Sequence, residues 1–143
     1  MIKVEKFVFN SFQENTYLLH DETGECIIID AGCYEDSEKE RFVNFIESNK
    51  LKPVRIIATH GHVDHILGMD YMRKKYNLPV EAHKEDVRLI ETVESYGSVY
   101  GFEVETPDNI SPTLADGDII SFGNSNLILL HVPGHSKGSV ALH

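Results

Sequence analysis

The sequence predicts a layered α/β fold, on three observations. Short strand-like runs alternate with amphipathic stretches of helical period. One run, Cys26-Ile27-Ile28-Ile29, is continuously apolar, as in a strand buried on both faces. A histidine-rich turn, Thr59 to His65, directly follows another strand, and open sheets usually place their sites at the C-terminal ends of strands.

The first thirty residues read as strands. Ile2 to Phe9 mixes alternation with a hydrophobic end, and Asn15 to His20 is a second strand. Asp21-Glu22-Thr23-Gly24 is a turn, and Cys26–Ile29 ends at Asp30-Ala31-Gly32. A helix should follow, with Ser37 and Glu40 as its capping box. Phe42, Val43 and Ile46 form its buried stripe, with Phe45 beside them, and Pro53 blocks its continuation. Val54–Ala58 is the next strand. After the histidine turn, Asp64 starts a helix that runs through Tyr71 to Lys75 and buries Ile66, Met69 and Met72. Arg73-Lys74-Lys75 is the cation-rich last turn that the helix dipole favours, and Asn77-Leu78-Pro79 closes it. Val80–Ala82 is a short strand, and Lys84 to about Tyr96 is one amphipathic helix using Val87, Leu89, Ile90 and Val93. Gly97 to Thr113 has no clear pattern and reads as loop. Asp116-Gly117-Asp118 is a turn, Ile119–Phe122 and Leu127–His131 form a hairpin, and Ser139–Leu142 opens another strand.

At 143 residues the chain is expected to form a single domain over residues 1–143. That is long enough to bury a core without staples. The net charge of −10 and scattered basic residues disfavour a nucleic-acid partner, because phosphate binding needs a basic stripe. Met1 to Lys6 lacks the apolar run of a signal peptide, and no stretch reaches transmembrane length. No membrane association is expected. Cys26 and Cys33 make no Cys-x-x-Cys pair, so they read as reduced thiols in a cytoplasmic protein.

The chemistry concentrates in His60-Gly61-His62-Val63-Asp64-His65. Zinc prefers imidazole and carboxylate ligands at about 2 Å, and a catalytic site keeps one position for water. Histidines spaced by two in an extended loop face the same side. Asp64 and His65 follow one turn onward, so four ligands can converge, with Gly61 letting the backbone fold tightly between two of them. His135, aimed by the Pro133-Gly134 turn, is the next candidate imidazole. His20, His83, His131 and His143 lack such support and read as hydrogen-bonded or exposed.

His60-x-His62-x-Asp64-His65, followed by Pro133-Gly134-His135-Ser136-x-Gly138-Ser139, resembles the metallo-β-lactamase superfamily. Within it the chain is similar to glyoxalase II-type (hydroxyacylglutathione hydrolase-like) proteins. Ile29-Asp30-Ala31-Gly32 is similar to the family's early Asp-x-Gly motif, and Asn15-Thr16-Tyr17 to its first hairpin. The resemblance implies an αββα sandwich and a site for one or two metal ions: zinc first, iron or manganese as alternatives. It implies that His60, His62 and His135 hold the first metal, that Asp64 and His65 belong to the second, and that Asp30 orients the ligand loops. The family supplies a bridging aspartate and a last histidine downstream of Pro-Gly-His, and this chain stops eight residues after His135. The second half of the sandwich is therefore expected to be truncated. Either the chain is a shortened product or the rest comes from another chain, as in a homodimer through the incomplete sheet.

The expected activity is hydrolysis of a small-molecule ester or thioester. A metal-bound hydroxide attacks the carbonyl, the metal polarises it, and Asp64 orients the nucleophile and takes its proton. Three alternatives stand beside it. One is an iron oxygenase of the same fold, similar to persulfide dioxygenases. Another is a nuclease, which the charge disfavours. The third is a non-catalytic metal-binding fragment or swapped dimer. Glutathione-binding members use an additional C-terminal helical region absent from this sequence, which leaves a glutathione thioester as a guess.

Overall fold

A computed structural model describes residues 1–108 and 110–143. Six strands form the larger sheet: β1 (Lys3–Phe9), β2 (Glu14–His20), β3 (Glu25–Ile29), β4 (Lys52–Ile57), β5 (Val80–His83) and β6 (Ser111–Leu114), in spatial order 1-2-3-4-5-6. β1, β2 and β3 pair antiparallel, as short turns allow. From β3 onward the pairs are parallel, with longer crossovers between them. A second sheet of β7 (Ile119–Phe122), β8 (Ser125–His131) and β9 (Val140–Leu142) is an antiparallel meander.

The helices are α1 (Asp36–Ser48), α2 (Met69–Tyr76), α3 (Lys84–Glu91) and α4 (Val93–Val99). The large sheet is buried on both sides, which explains the unbroken apolar β3. Cys26 and Ile28 pack with Phe42, Val43 and Ile46 of α1, Met69 and Met72 of α2, and Ile90 and Val93 of α3 and α4. Ile27 and Ile29 point the other way, joining Ile57, Ile120, Phe122, Leu129 and Val140 between the two sheets. Among the described residues the layers therefore run helices, sheet, sheet. On the small sheet the alternation leaves Ile119, Ile128 and Leu130 facing outward.

Several elements differ from the sequence expectation for tertiary reasons. The N-cap of α1 is Glu35 rather than Ser37, and Glu38 Oε1 accepts the Glu35 N–H at 3.2 Å. Lys50, in the left-handed region at φ 55°, ends that helical run, while Pro53 lies inside β4. Asp64 does not start α2. It sits in a 3₁₀ turn over Val63–His65. The Gly68 N–H bonds Ala31 O at 2.7 Å, so it cannot close a helical bond to Asp64 O, and α2 begins at Met69. The Lys84–Tyr96 stretch is two helices, broken at Thr92, whose hydroxyl donates to Leu89 O at 3.0 Å. Part of the patternless 97–113 stretch is β6. Its Thr113 Oγ1 donates to Glu81 Oε1 at 3.0 Å, the same carboxylate that Arg55 grips through Nε and Nη2. Cys26 and Cys33 are buried and free.

Candidate metal centre

The site lies where β3 and β4 end. Asp30 follows β3 in the left-handed region, at φ 56°, a conformation that aspartate tolerates better than most residues. From there its carboxylate reaches the loop after β4. Oδ1 accepts the Thr59 N–H at 2.7 Å, and Oδ2 accepts the Thr59 hydroxyl at 2.6 Å. Oδ2 also lies 3.0 Å from His65 Nδ1. Asp30 thus fixes both ends of the histidine turn. Asn10 Nδ2 holds the turn from outside, donating to Gly32 O at 2.9 Å and Asp64 O at 3.0 Å.

The second sheet delivers the remaining histidine. His135 sits on the loop between β8 and β9, and the Val140 N–H donates to Thr59 O at 2.8 Å, joining that hairpin to the His60 loop. Among the described residues, His60, His62 and His135 each offer a ligand atom within 4.8 Å of the others, and so do Asp30, His60 and His65. The first set fits a divalent ion. His60 Nε2 is buried without a hydrogen-bond partner, while its Nδ1 lies 3.0 Å from Thr59 Oγ1. His62 Nδ1 and His135 Nε2 stand 2.9 Å apart. Two imidazole nitrogens so close need a shared proton or a shared cation. Tetrahedral zinc with Zn–N bonds of about 2.0–2.1 Å would separate them by about 3.4 Å, a small opening for an exposed loop residue such as His135.

The Asp30-containing set is a weaker ligand group, because both Asp30 oxygens already accept hydrogen bonds. His65 turns its other nitrogen, Nε2, toward Asp64 Oδ2 at 3.4 Å. All residues singled out in the sequence thus lie in one small region. His60, His62 and His135 converge, Asp64 and His65 stand beside them, and Asp30 lies behind.

Burial favours the neutral ring at His60 and His62. Burial, then the neighbouring His65, pulls the His60 pKa down to about 4. Burial and His135 lower that of His62. Burial also opposes protonation of His65, but its hydrogen bond and attraction to Asp30 outweigh that and raise its pKa. Neutral imidazoles are the form that binds cations.

Sequence reasoning missed several contributors. Glu14 is buried behind His65 and Asp30, its Oε1 3.5 Å from His65 Nδ1 and without a hydrogen-bond partner. Burial pushes its carboxyl pKa up to about 10. Thr16 Oγ1 carries one hydrogen but faces two acceptors, Asp30 O at 2.7 Å and Glu14 Oε2 at 2.8 Å. A carboxyl that keeps its proton satisfies both by donating back to Oγ1. Gly32 is required here, since a Cβ would run into Glu14 Oε2 and Asp64 O. Asp86, at the start of α3, accepts the Gly61 N–H at 2.8 Å. Tyr96 donates its hydroxyl to Gly61 O. Gly61 itself has no left-handed backbone; it is small because Leu89 and Ile90 of α3 pack against it. In the sequence Glu14 is a charged residue just before the expected strand, and Asp86 falls in the first turn of the expected helix.

A groove of about 520 Å³ opens onto the histidines, lined by Phe12, His62, Val63, Asp64, Leu89, Tyr96, Tyr100 and His135. Its apolar walls and few polar groups have the make-up of a small-molecule site.

The chain is similar to several known proteins. The probable metallo-hydrolase YqgX of Bacillus subtilis is 29% identical over 143 residues, 99% of this chain. The hydroxyacylglutathione hydrolase GloC of Haemophilus influenzae is 27% identical over 146 residues, 97% of this chain. The chain spans 65% of the length of each of these relatives. A crystal structure of TTHA1623 in a di-iron-bound form superposes with a TM-score of 0.84 at 29% identity, covering 98% of this chain and 66% of that one. The family model of the metallo-β-lactamase superfamily matches residues 10–143. With that match over nearly its whole length, and the strand-end histidine cluster in place, the chain belongs to the metallo-β-lactamase superfamily.

Proposed function

We propose that the chain is a metal-dependent hydrolase of small esters or thioesters, of the glyoxalase II type. The observation that carries this is the convergence of His60, with its buried, unpartnered Nε2, on His62 and His135, which line an apolar groove. His60, His62 and His135 would hold one divalent ion, zinc first, and Asp64 with His65 would contribute to a second. When bound, such an ion supplies Lewis-acid polarisation of a carbonyl and activation of water.

The protein residues then have distinct tasks. Asp30 fixes the ring of His65 and, through Thr59, the start of the ligand turn. Asp64 borders the groove and is half-buried; it would accept a proton from the attacking water. Phe12, Leu89 and Tyr100 contact the acyl or leaving group and exclude solvent. The similarity to GloC favours a hydroxyacyl thioester as the substrate class, and the likeness to a di-iron protein makes iron the second metal to test.

The test combines metal analysis with turnover. Purified chain should contain zinc or iron that chelators remove, and should cleave a hydroxyacyl thioester. Asp64→Asn should lose about 10²–10⁴-fold in kcat while the His60–His62–His135 ion is retained. Full turnover by that variant would remove Asp64 from the mechanism, and failure of the wild type to bind a divalent ion would refute the proposal itself.

A further inference from the structure

Asp86 has no place in the motif, yet it is 1% exposed and makes three hydrogen bonds to the two loops that carry the histidines. Oδ2 accepts the Gly61 N–H at 2.8 Å and the Ser136 hydroxyl at 2.7 Å. Oδ1 accepts the Gly138 N–H at 2.7 Å. Gly61 is the residue between His60 and His62, and Ser136 directly follows His135. One carboxylate on α3 therefore joins the loop after β4 to the loop between β8 and β9. We infer that Asp86 is a positioning residue that sets the spacing of His135 from His60 and His62, and so the geometry of the first metal position.

The surroundings are built for this contact. All three partners donate, so the carboxylate has no competing acceptor among them. Gly138 leaves no space for a side chain, because a Cβ would lie 2.6 Å from Asp86 N and 2.8 Å from Oδ1. Ser136 is held in turn by Ser139, whose Oγ accepts the Ser136 N–H at 3.0 Å. Tyr96 also donates to Gly61 O, so the residue between His60 and His62 is held at both its N–H and its C=O. Asparagine at 86 has the same shape but points an NH₂ at one of these donors, which releases one loop from the other.

The inference rests on the metal reading above, and the experiment separates the two. Zinc affinity is measured by competition with a chromophoric chelator, and coordination geometry by the visible spectrum of the cobalt-substituted protein. Wild type is compared with Asp86→Asn, Ser136→Ala and Ile46→Val, the last a mild change in the core stripe of α1. Thermal melting of the metal-free proteins accompanies each. Removing a residue that orients metal ligands typically costs about 10–100-fold in affinity. Asp86→Asn should lose that much with a changed cobalt spectrum, and Ser136→Ala a smaller part. Ile46→Val should melt lower yet bind zinc like the wild type. Folded Asp86→Asn with wild-type affinity and spectrum would overturn the inference. If Asp86→Asn does not fold, Ser136→Ala decides, and wild-type affinity and spectrum there overturn it equally. A wild type that binds no divalent ion, zinc, cobalt or iron, refutes the metal reading instead.

Discussion

Replacing Glu14 by glutamine should stabilise the metal-free protein, and by an amount that grows with pH. The carboxyl is buried against Thr16, Gly32, His65 and Asp30, and its pKa rises from 4.5 to about 10. A carboxyl raised in the fold keeps a proton there that the unfolded chain releases above 4.5. At this group the folded protein then binds more protons than the unfolded, so its contribution to stability is greatest below pH 4.5 and declines as pH rises toward 10. Each pH unit in that window costs about 1.4 kcal/mol, which by pH 7 amounts to about 3 kcal/mol from this one group. That is a large fraction of the roughly 5–15 kcal/mol that holds a domain together. Glutamine keeps the shape, donates to Thr16 Oγ1 through its NH₂ and never ionises. Urea unfolding of chelator-treated wild type and Glu14→Gln, in steps from pH 5 to 8, reads the effect as a difference, in which titrating groups remote from Glu14 cancel. The variant should gain over wild type by about 1.4 kcal/mol per pH unit. A difference that stays flat from pH 5 to 8 would show that Glu14 has an ordinary carboxylate pKa, and the account of a buried protonated acid would be wrong.

Two further outcomes follow from the same groups. His60, with its pKa lowered to about 4, stays neutral in the fold while the unfolded chain protonates below 6.5. Its stabilising contribution is therefore present above pH 6.5 and lost as pH falls toward 4, which the unfolding midpoint of metal-free protein should show and His60→Asn should flatten. Asp30→Asn keeps the size of the side chain but places an amide where Thr59 and His65 both need an acceptor. It should cost about 3 kcal/mol or more in stability, as breaking a buried charged hydrogen-bond set does, and lower metal affinity by about 10–100-fold in a chelator competition.

The candidate ligands were legible in the sequence because their arrangement is local. Four of them fall within six positions after a strand, and the strand alternation and apolar runs that fix the sheet are local too. His135 was readable through its Pro-Gly turn. Glu14 and Asp86 were not, because their role depends on residues that only tertiary structure brings near: Asp86 meets Gly138 across 52 positions. The same cause explains the errors in elements. Asp64 reads as a helix start until Gly68 gives its N–H to Ala31, and Asn10 takes Asp64 O from the other side. Ser111-Pro112-Thr113-Leu114 is polar and contains proline, so nothing local marks it as a strand. Its pairing with β5 at the edge of the sheet, where proline is tolerated, makes it one.

The bond from Val140 to Thr59 has a kinetic consequence. His62 and His135 are 73 positions apart, so the chain must close a long loop before they can meet. The complete set of three histidines exists only once the β8–β9 hairpin has docked on the larger sheet. An ion held there rewards the finished structure and little that precedes it. Contacts absent from the folding transition state act on the rate of unfolding and leave that of folding nearly unchanged. Metal should therefore lengthen the lifetime of the folded chain without hastening its formation, which makes the concentration of free ion in its surroundings a control on how long each molecule persists.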